Sequence, residues 1–157
     1  EDGSFTCTLF MPFENHKYSF DKLTSKEKVE AFFIEVFPDF FAMMPDVANA
    51  WEDHPLSSLA IIRCKPWHHG KVALMGDAAH GTVPFYGQGM NAGFEDCRVL
   101  FDLMEKHQEE WPAVFEEYSR VRKPDGDALQ DLSLDNYLVM RDYVADPDFI
   151  LRKKIEA

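Results

Sequence analysis

Leu74-Met75-Gly76-Asp77-Ala78-Ala79-His80, followed by Pro84-Phe85-Tyr86-Gly87-Gln88-Gly89-Met90-Asn91-Ala92-Gly93-Phe94-Glu95-Asp96, is the stretch whose reading decides the fold. Its lead-in, Lys71 to Met75, is a short apolar run of the kind that forms a buried strand, and Gly76 ends it. Asp77 then stands at the carboxyl end of that strand, in the crevice where open α/β sheets bind ligands. Its carboxylate can accept hydrogen bonds from a chain of ligand hydroxyls. Gly87 and Gly89 remove side chains where a helix begins, so backbone N–H groups can approach a ligand. The helix dipole places roughly half a positive charge at that tip and favours an anion by about 0.3–1 kcal/mol. A polyol and an electron-rich ring can therefore be held side by side. Gly87-x-Gly89-x-x-x-Gly93 is not the dinucleotide fingerprint, whose third glycine comes one residue earlier, and the sequence contains no strand–Gly-x-Gly-x-x-Gly–helix unit.

Working outward, Ser4 to Phe13 is rich in β-branched and aromatic residues and partly alternates, so it reads as a strand. Thr24 or Ser25 can cap a helix reaching about Phe37, with Val29, Phe32, Phe33, Val36 and Phe37 on its apolar side. Ser58 to Cys64 reads as a second strand and Trp67 to Gly70 as a turn. From Gly87 the period becomes helical: Met90, Phe94, Cys97, Leu100, Phe101 and Met104 make one apolar face. Another helix is predicted from Glu109 to about Arg122, with Lys123-Pro124-Asp125-Gly126 breaking it. A further helical stretch follows, with Leu129, Leu132, Leu134, Tyr137, Leu138 and Met140 as its apolar contacts. The fold class is thus α/β, or α+β for a piece of a larger fold.

A chain of 157 residues with 46% hydrophobic and 14% aromatic residues is long and apolar enough for a packed core. The 28 acidic against 16 basic side chains give a net charge of -12, which disfavours nucleic acid and anionic membrane surfaces as partners. Cys7, Cys64 and Cys97 are odd in number and widely spaced, so no disulfide framework is expected. No apolar run is long enough to span a bilayer. The chain starts without Met inside a strand-like run, which suggests a fragment.

These residues carry a resemblance. The Gly76-Asp77 segment with the Pro84–Asp96 segment resembles the second FAD motif of the flavoprotein aromatic hydroxylases. Phe5 to Phe13, Asp131-Leu132-Ser133-Leu134-Asp135-Asn136 and Glu95-Asp96-Cys97 narrow it to the branch acting on L-kynurenine. The resemblance implies an NADPH- and FAD-dependent monooxygenase that uses O2, through a flavin C4a-hydroperoxide, to form 3-hydroxykynurenine in tryptophan catabolism. It implies an FAD/NAD(P)-binding fold in which residues 1–70 belong to the substrate-domain sheet. Residues 71–122 would then complete the FAD domain, and 123–157 would be a helical segment returning toward the substrate. Asp77 would bind the ribityl chain, Met90 and Asn91 would meet the isoalloxazine through the helix start, and Gly87 and Gly89 would belong to the same cofactor-binding set. Asn136 would bond the amino-acid end of the substrate, and Phe85 and Gln88 would line the pocket. No protein nucleophile is required, since the cofactor carries the chemistry. The family's amino-terminal dinucleotide fold, its carboxylate-clamping arginine and tyrosine and its later carboxyl-terminal helix have no counterpart here, so the piece alone is expected to be inactive. The compartment implied is the cytoplasm for a bacterial enzyme and the mitochondrial outer membrane, through a segment beyond this one, for a eukaryotic enzyme.

Other residues have plainer readings. Cys64, His68, His69 and His80 lack the paired spacing of a closed metal site, and His80 is expected to shape the turn after Asp77. Ser4, Ser57 and Ser58 lack a nucleophile elbow. Arg152-Lys153-Lys154 fits a dipole complement at a helix end. Two alternatives remain: another FAD-dependent aromatic hydroxylase or epoxidase, and, from a different class, a non-catalytic acidic interaction domain with a flavin-like turn.

Overall fold

The computed structural model describes Gly3 and residues 5–156. These are mostly helical, with one small two-stranded sheet. Two compact units meet in the sequence between Ser57 and Ser58.

The first unit is built on three helices: α1 (Lys26–Val36), α2 (Pro38–Met43) and α3 (Val47–Trp51). Ser25 caps α1 by accepting from the Lys28 amide, as its position before the apolar repeat predicts. Val29, Phe32 and Phe33 of α1 pack against Val47 and Ala48 of α3 to form the core. The strand expected over Ser4–Phe13 does not form between Phe5 and Phe13, and Ser4 lies outside the described residues. Pro12 and Phe13 give their carbonyls to Phe20 and Asp21, in the 3-10 turn Phe20–Lys22, rather than to a neighbouring strand.

In the second unit, Ser58 to Cys64 is also irregular, which corrects the second expected strand. A strand needs a ladder partner for its amides and carbonyls, and here the Ile62 amide goes to the Gly81 carbonyl and the Ile62 carbonyl to the Gln130 side chain. The segment expected as turn and strand is a minimal hairpin, β1 (His68–His69) against β2 (Val72–Ala73), closed by Gly70 and Lys71. Trp67, at its base, is fully buried with Ala79, Leu103, Val114 and Tyr118. The chain continues through α4 (Asp77–His80), a 3-10 turn Pro84–Tyr86, α5 (Gly89–Lys106) and α6 (Trp111–Leu138). A π-helical turn, Val139–Tyr143, and α7 (Pro147–Glu156) complete it, with Lys153 and Lys154 in the last turn of α7.

Two helix expectations are corrected. First, α6 does not break at Lys123–Gly126 but runs for 28 residues with Pro124 inside it. Pro124 and Arg120, whose carbonyl loses its i+4 donor, are both exposed residues. The opposite side, Arg122, Gly126, Gln130 and Ser133, is buried. Gly126 fits there because nothing larger does: a Cβ would lie 2.8 Å from the Trp67 ring and 3.1 Å from His80 Cβ. The buried stripe is therefore polar or small, whereas Leu132, Leu134 and Met140, expected as packing residues, are exposed. Second, α5 buries Asp96 and Leu103, with Val99, Leu100 and Met104 beside them, while Met90, Phe94, Cys97 and Phe101 face outward. Asp96 turns the helix this way because its partners lie inside.

Candidate functional site

Gly76 joins the hairpin to α4 with φ +57° and ψ −139°, a combination essentially confined to glycine. α4 is only four residues long, too short to persist without support. That support is Asp96, from the second turn of α5, which is completely buried. Asp96 Oδ2 accepts from the Gly76 amide at 2.9 Å and from His80 Nε2 at 2.5 Å, and Oδ1 accepts from Arg122 Nε at 2.8 Å. Burial alone would raise the Asp96 carboxyl, but the hydrogen bonds from His80, Gly76 and Arg122 together hold it below the usual carboxylate range. His80 thus shapes the turn, as the sequence suggests, by returning its ring to the same carboxylate. Tyr118, packed against Trp67, has its phenol pushed upward by burial and by the nearby Asp96 charge.

This buried network leaves Asp77 at the first position of α4 with an exposed carboxylate that has no hydrogen-bond partner among the described residues. The neighbouring backbone lies against α5, since a Cβ on Gly93 would meet Gly76 Cα at 4.0 Å. The amino end of α5 is open: Gln88, its N-cap, makes no capping bond to the helix amides. The Gln88 side chain instead accepts from Asn91 Nδ2 at 2.8 Å, and Gln88, Met90 and Asn91 are all exposed. Gly87 and Gly89 stand on either side of Gln88 and add no side chains of their own at this tip.

The other sequence-selected residues come together at the 3-10 turn. Asn136 Nδ2 donates to the Phe85 carbonyl, and the rings of Phe85 and Tyr137 lie 4.7 Å apart. The sequence marks Tyr137 only as a helix apolar, Arg122 only as a helix end, and Gln130 not at all. Their roles depend on partners tens of residues away, which no local period reveals. Surface hollows are lined by His107, Ala113, Glu116, Glu117 and Arg120, and by residues of the π-turn and α7; Asp77 lines neither. No cluster of three or more metal-ligating side chains occurs among the described residues, and no helix there is long and apolar enough to cross a membrane.

An exposed, unpartnered carboxylate just after Gly76, whose backbone lies against α5, and an uncapped, glycine-flanked start to α5 are the two features that suit a ligand pairing hydroxyls with an anionic or electron-rich group. The family described as FAD binding domain matches residues 36–133, and the chain belongs to that family. Over 99% of its length the chain is 51% identical to the kynurenine 3-monooxygenase of Flavobacterium psychrophilum, and 51% identical to that of Flavobacterium johnsoniae. The kynurenine 3-monooxygenase of Dictyostelium discoideum is 42% identical over 168 aligned residues. The chain spans about a third of these relatives' length: 35% of the two bacterial proteins and 36% of the third.

Proposed function

We propose that the chain is part of an FAD- and NADPH-dependent monooxygenase that hydroxylates L-kynurenine to 3-hydroxykynurenine. The observation that carries this reading is the exposed, unpartnered Asp77 carboxylate directly after Gly76, a residue with a glycine-type backbone conformation that lies against α5. Asp77 accepts hydrogen bonds from the ribityl hydroxyls. The amides at Gly89, Met90 and Asn91 lie along the edge of the isoalloxazine ring, where the helix dipole favours negative charge. Gly87 and Gly89 keep that approach clear. The bound flavin supplies the oxygen chemistry.

Asn136 holds the amino-acid end of the substrate. Its Nδ2 is engaged with the Phe85 carbonyl, which leaves Oδ1 to accept from an ammonium group. Phe85 and Gln88 line the pocket and limit water. Residues 1–70 serve the substrate domain, 71–122 complete the FAD domain of a flavoprotein-hydroxylase α/β fold, and 123–157 return toward the substrate. The outward face of α5, with Met90, Phe94 and Phe101 each more than half exposed, is covered by the remainder of the FAD domain.

The test is made on the full-length protein. The purified protein should carry FAD, and NADPH oxidation should be stimulated by L-kynurenine with formation of 3-hydroxykynurenine. Stimulation by another aromatic compound and not by kynurenine would keep the flavin and change the substrate. A colourless protein that ignores added FAD would reject the reading.

A further inference from the structure

The flavin reading of Asp77 explains why its carboxylate is free but not what fixes it in place. Asp96 holds the entry of the α4 turn at Gly76. The exit, at Gly81, is held by a residue in the middle of α6. Gln130 is fully buried, and its Nε2 donates to the Ile62 carbonyl at 2.5 Å and to the Gly81 carbonyl at 3.0 Å. Its Oε1 accepts from Arg63 Nε at 3.0 Å, and Arg63 is steadied by Asp131 at 2.6 Å. Both amide hydrogens and one side of the oxygen are thus committed, so the carboxamide has one orientation.

Gly81 is tied directly to Asp77. The Gly81 amide donates to the Asp77 carbonyl at 3.0 Å, and the Ile62 amide donates to the Gly81 carbonyl at 2.9 Å. Only glycine fits there, because a Cβ on Gly81 would lie 2.8 Å from the Asp77 carbonyl oxygen and 3.1 Å from Ile62 Cγ1. A shift of Gly81 acts on Asp77 through the Gly81 amide to Asp77 carbonyl bond. Arg122 and Gln130 stand on the same buried stripe of α6, so one helix reaches both ends of the turn: the entry through Asp96, the exit directly.

We infer that Gln130 is a positioning residue for the cofactor-binding carboxylate of Asp77, acting through the Gly81 carbonyl. This rests on the flavin reading of Asp77. A glutamine that merely fills a polar gap in the core would stabilise the protein without influencing affinity for FAD.

The experiment separates these roles by a double-mutant cycle in the full-length protein, measuring the FAD dissociation constant of the apoprotein and its urea unfolding midpoint. Gln130→Met keeps the side-chain length and removes the hydrogen bonds. It should weaken FAD binding about tenfold, the effect of roughly one to two lost hydrogen bonds, and alter the bound-flavin absorbance spectrum. In an Asp77→Ala background the same change should shift the constant by less than about twofold, because its route to the cofactor is already gone. Arg63→Met, at a half-exposed position that threatens folding less, frees the carboxamide to rotate and should weaken binding about threefold. An unchanged dissociation constant in Gln130→Met and Arg63→Met, or equal losses in both Asp77 backgrounds, would overturn the inference. If Asp77→Ala itself leaves FAD binding intact, the flavin reading fails and takes this inference with it. If Asp77→Ala weakens binding and Gln130→Met does not, only this inference fails.

Discussion

Asp96 accepts the backbone amide of Gly76 at 2.9 Å although 20 residues separate them in the chain. That bond joins the glycine that turns the chain into α4 to the helix whose tip faces the proposed ligand. The same carboxylate takes Arg122 from α6 and His80 from the end of the turn. One buried anion therefore organises three segments.

Removing Asp96 leaves the buried Arg122 with only the exposed Asp125 as ion partner among the described residues, and removing Arg122 leaves the buried Asp96 without its arginine. Asp96→Leu or Arg122→Met should each lower unfolding free energy by about 3–5 kcal/mol, more than typical surface changes. Urea denaturation of the protein measures this. A loss below about 1 kcal/mol in both variants would mean that the network is not buried as described.

The pH dependence follows from the same group. Its folded-state value lies below the ordinary one, so its contribution is complete above the unfolded value near 4, a rough reference, and is lost as pH falls through the folded value. Stability measured by thermal unfolding should decline below about pH 4, and Asp96→Asn should flatten that decline while lowering stability at neutral pH.

Two glycines are predicted to resist substitution for different reasons. Gly76→Ala must adopt φ +57° and should cost about 1–3 kcal/mol through backbone strain. Gly126→Ala pushes a methyl into the Trp67 ring and should cost about 1–3 kcal/mol through overpacking. Trp67→Leu should relieve the second loss but not the first, which unfolding of the paired variants would reveal.

Asn136→Ala should raise KM for L-kynurenine by about tenfold, the scale of one charge-assisted hydrogen bond, and leave flavin content unchanged. Steady-state kinetics with a flavin assay checks both. Loss of flavin in this variant would instead assign Asn136 to the Phe85 turn alone.

Much of this arrangement was legible in the residues. The Ser25 cap and the apolar run after it predict α1, and Gly76-Asp77 marks the turn. The glycines from Gly87 onward mark the start of α5. What misled was polar burial. Arg122, Gln130 and Ser133 lie on the inner face of α6, so hydrophobic periodicity selects Leu132 and Leu134, which are exposed, and Pro124 reads as a break. The inner face of α5 is rotated for the same reason: Leu100 and Met104 pack inward as expected, but Asp96 is inside and Phe94 outside. Phe5–Phe13 and Ser58–Cys64 have strand composition, yet the carbonyls of Pro12, Phe13 and Ile62 go to a 3-10 turn and a glutamine, not to a neighbouring strand. Composition reports a preference, and pairing depends on partners far along the chain.

The central claim is that the Asp77 carboxylate grips FAD. Asp77→Ala in the full-length protein should weaken FAD binding about tenfold to a hundredfold, the range for lost hydrogen bonds to a charged group, and yield a protein purified with little flavin. Retention of a full complement of FAD at an unchanged dissociation constant would contradict the account.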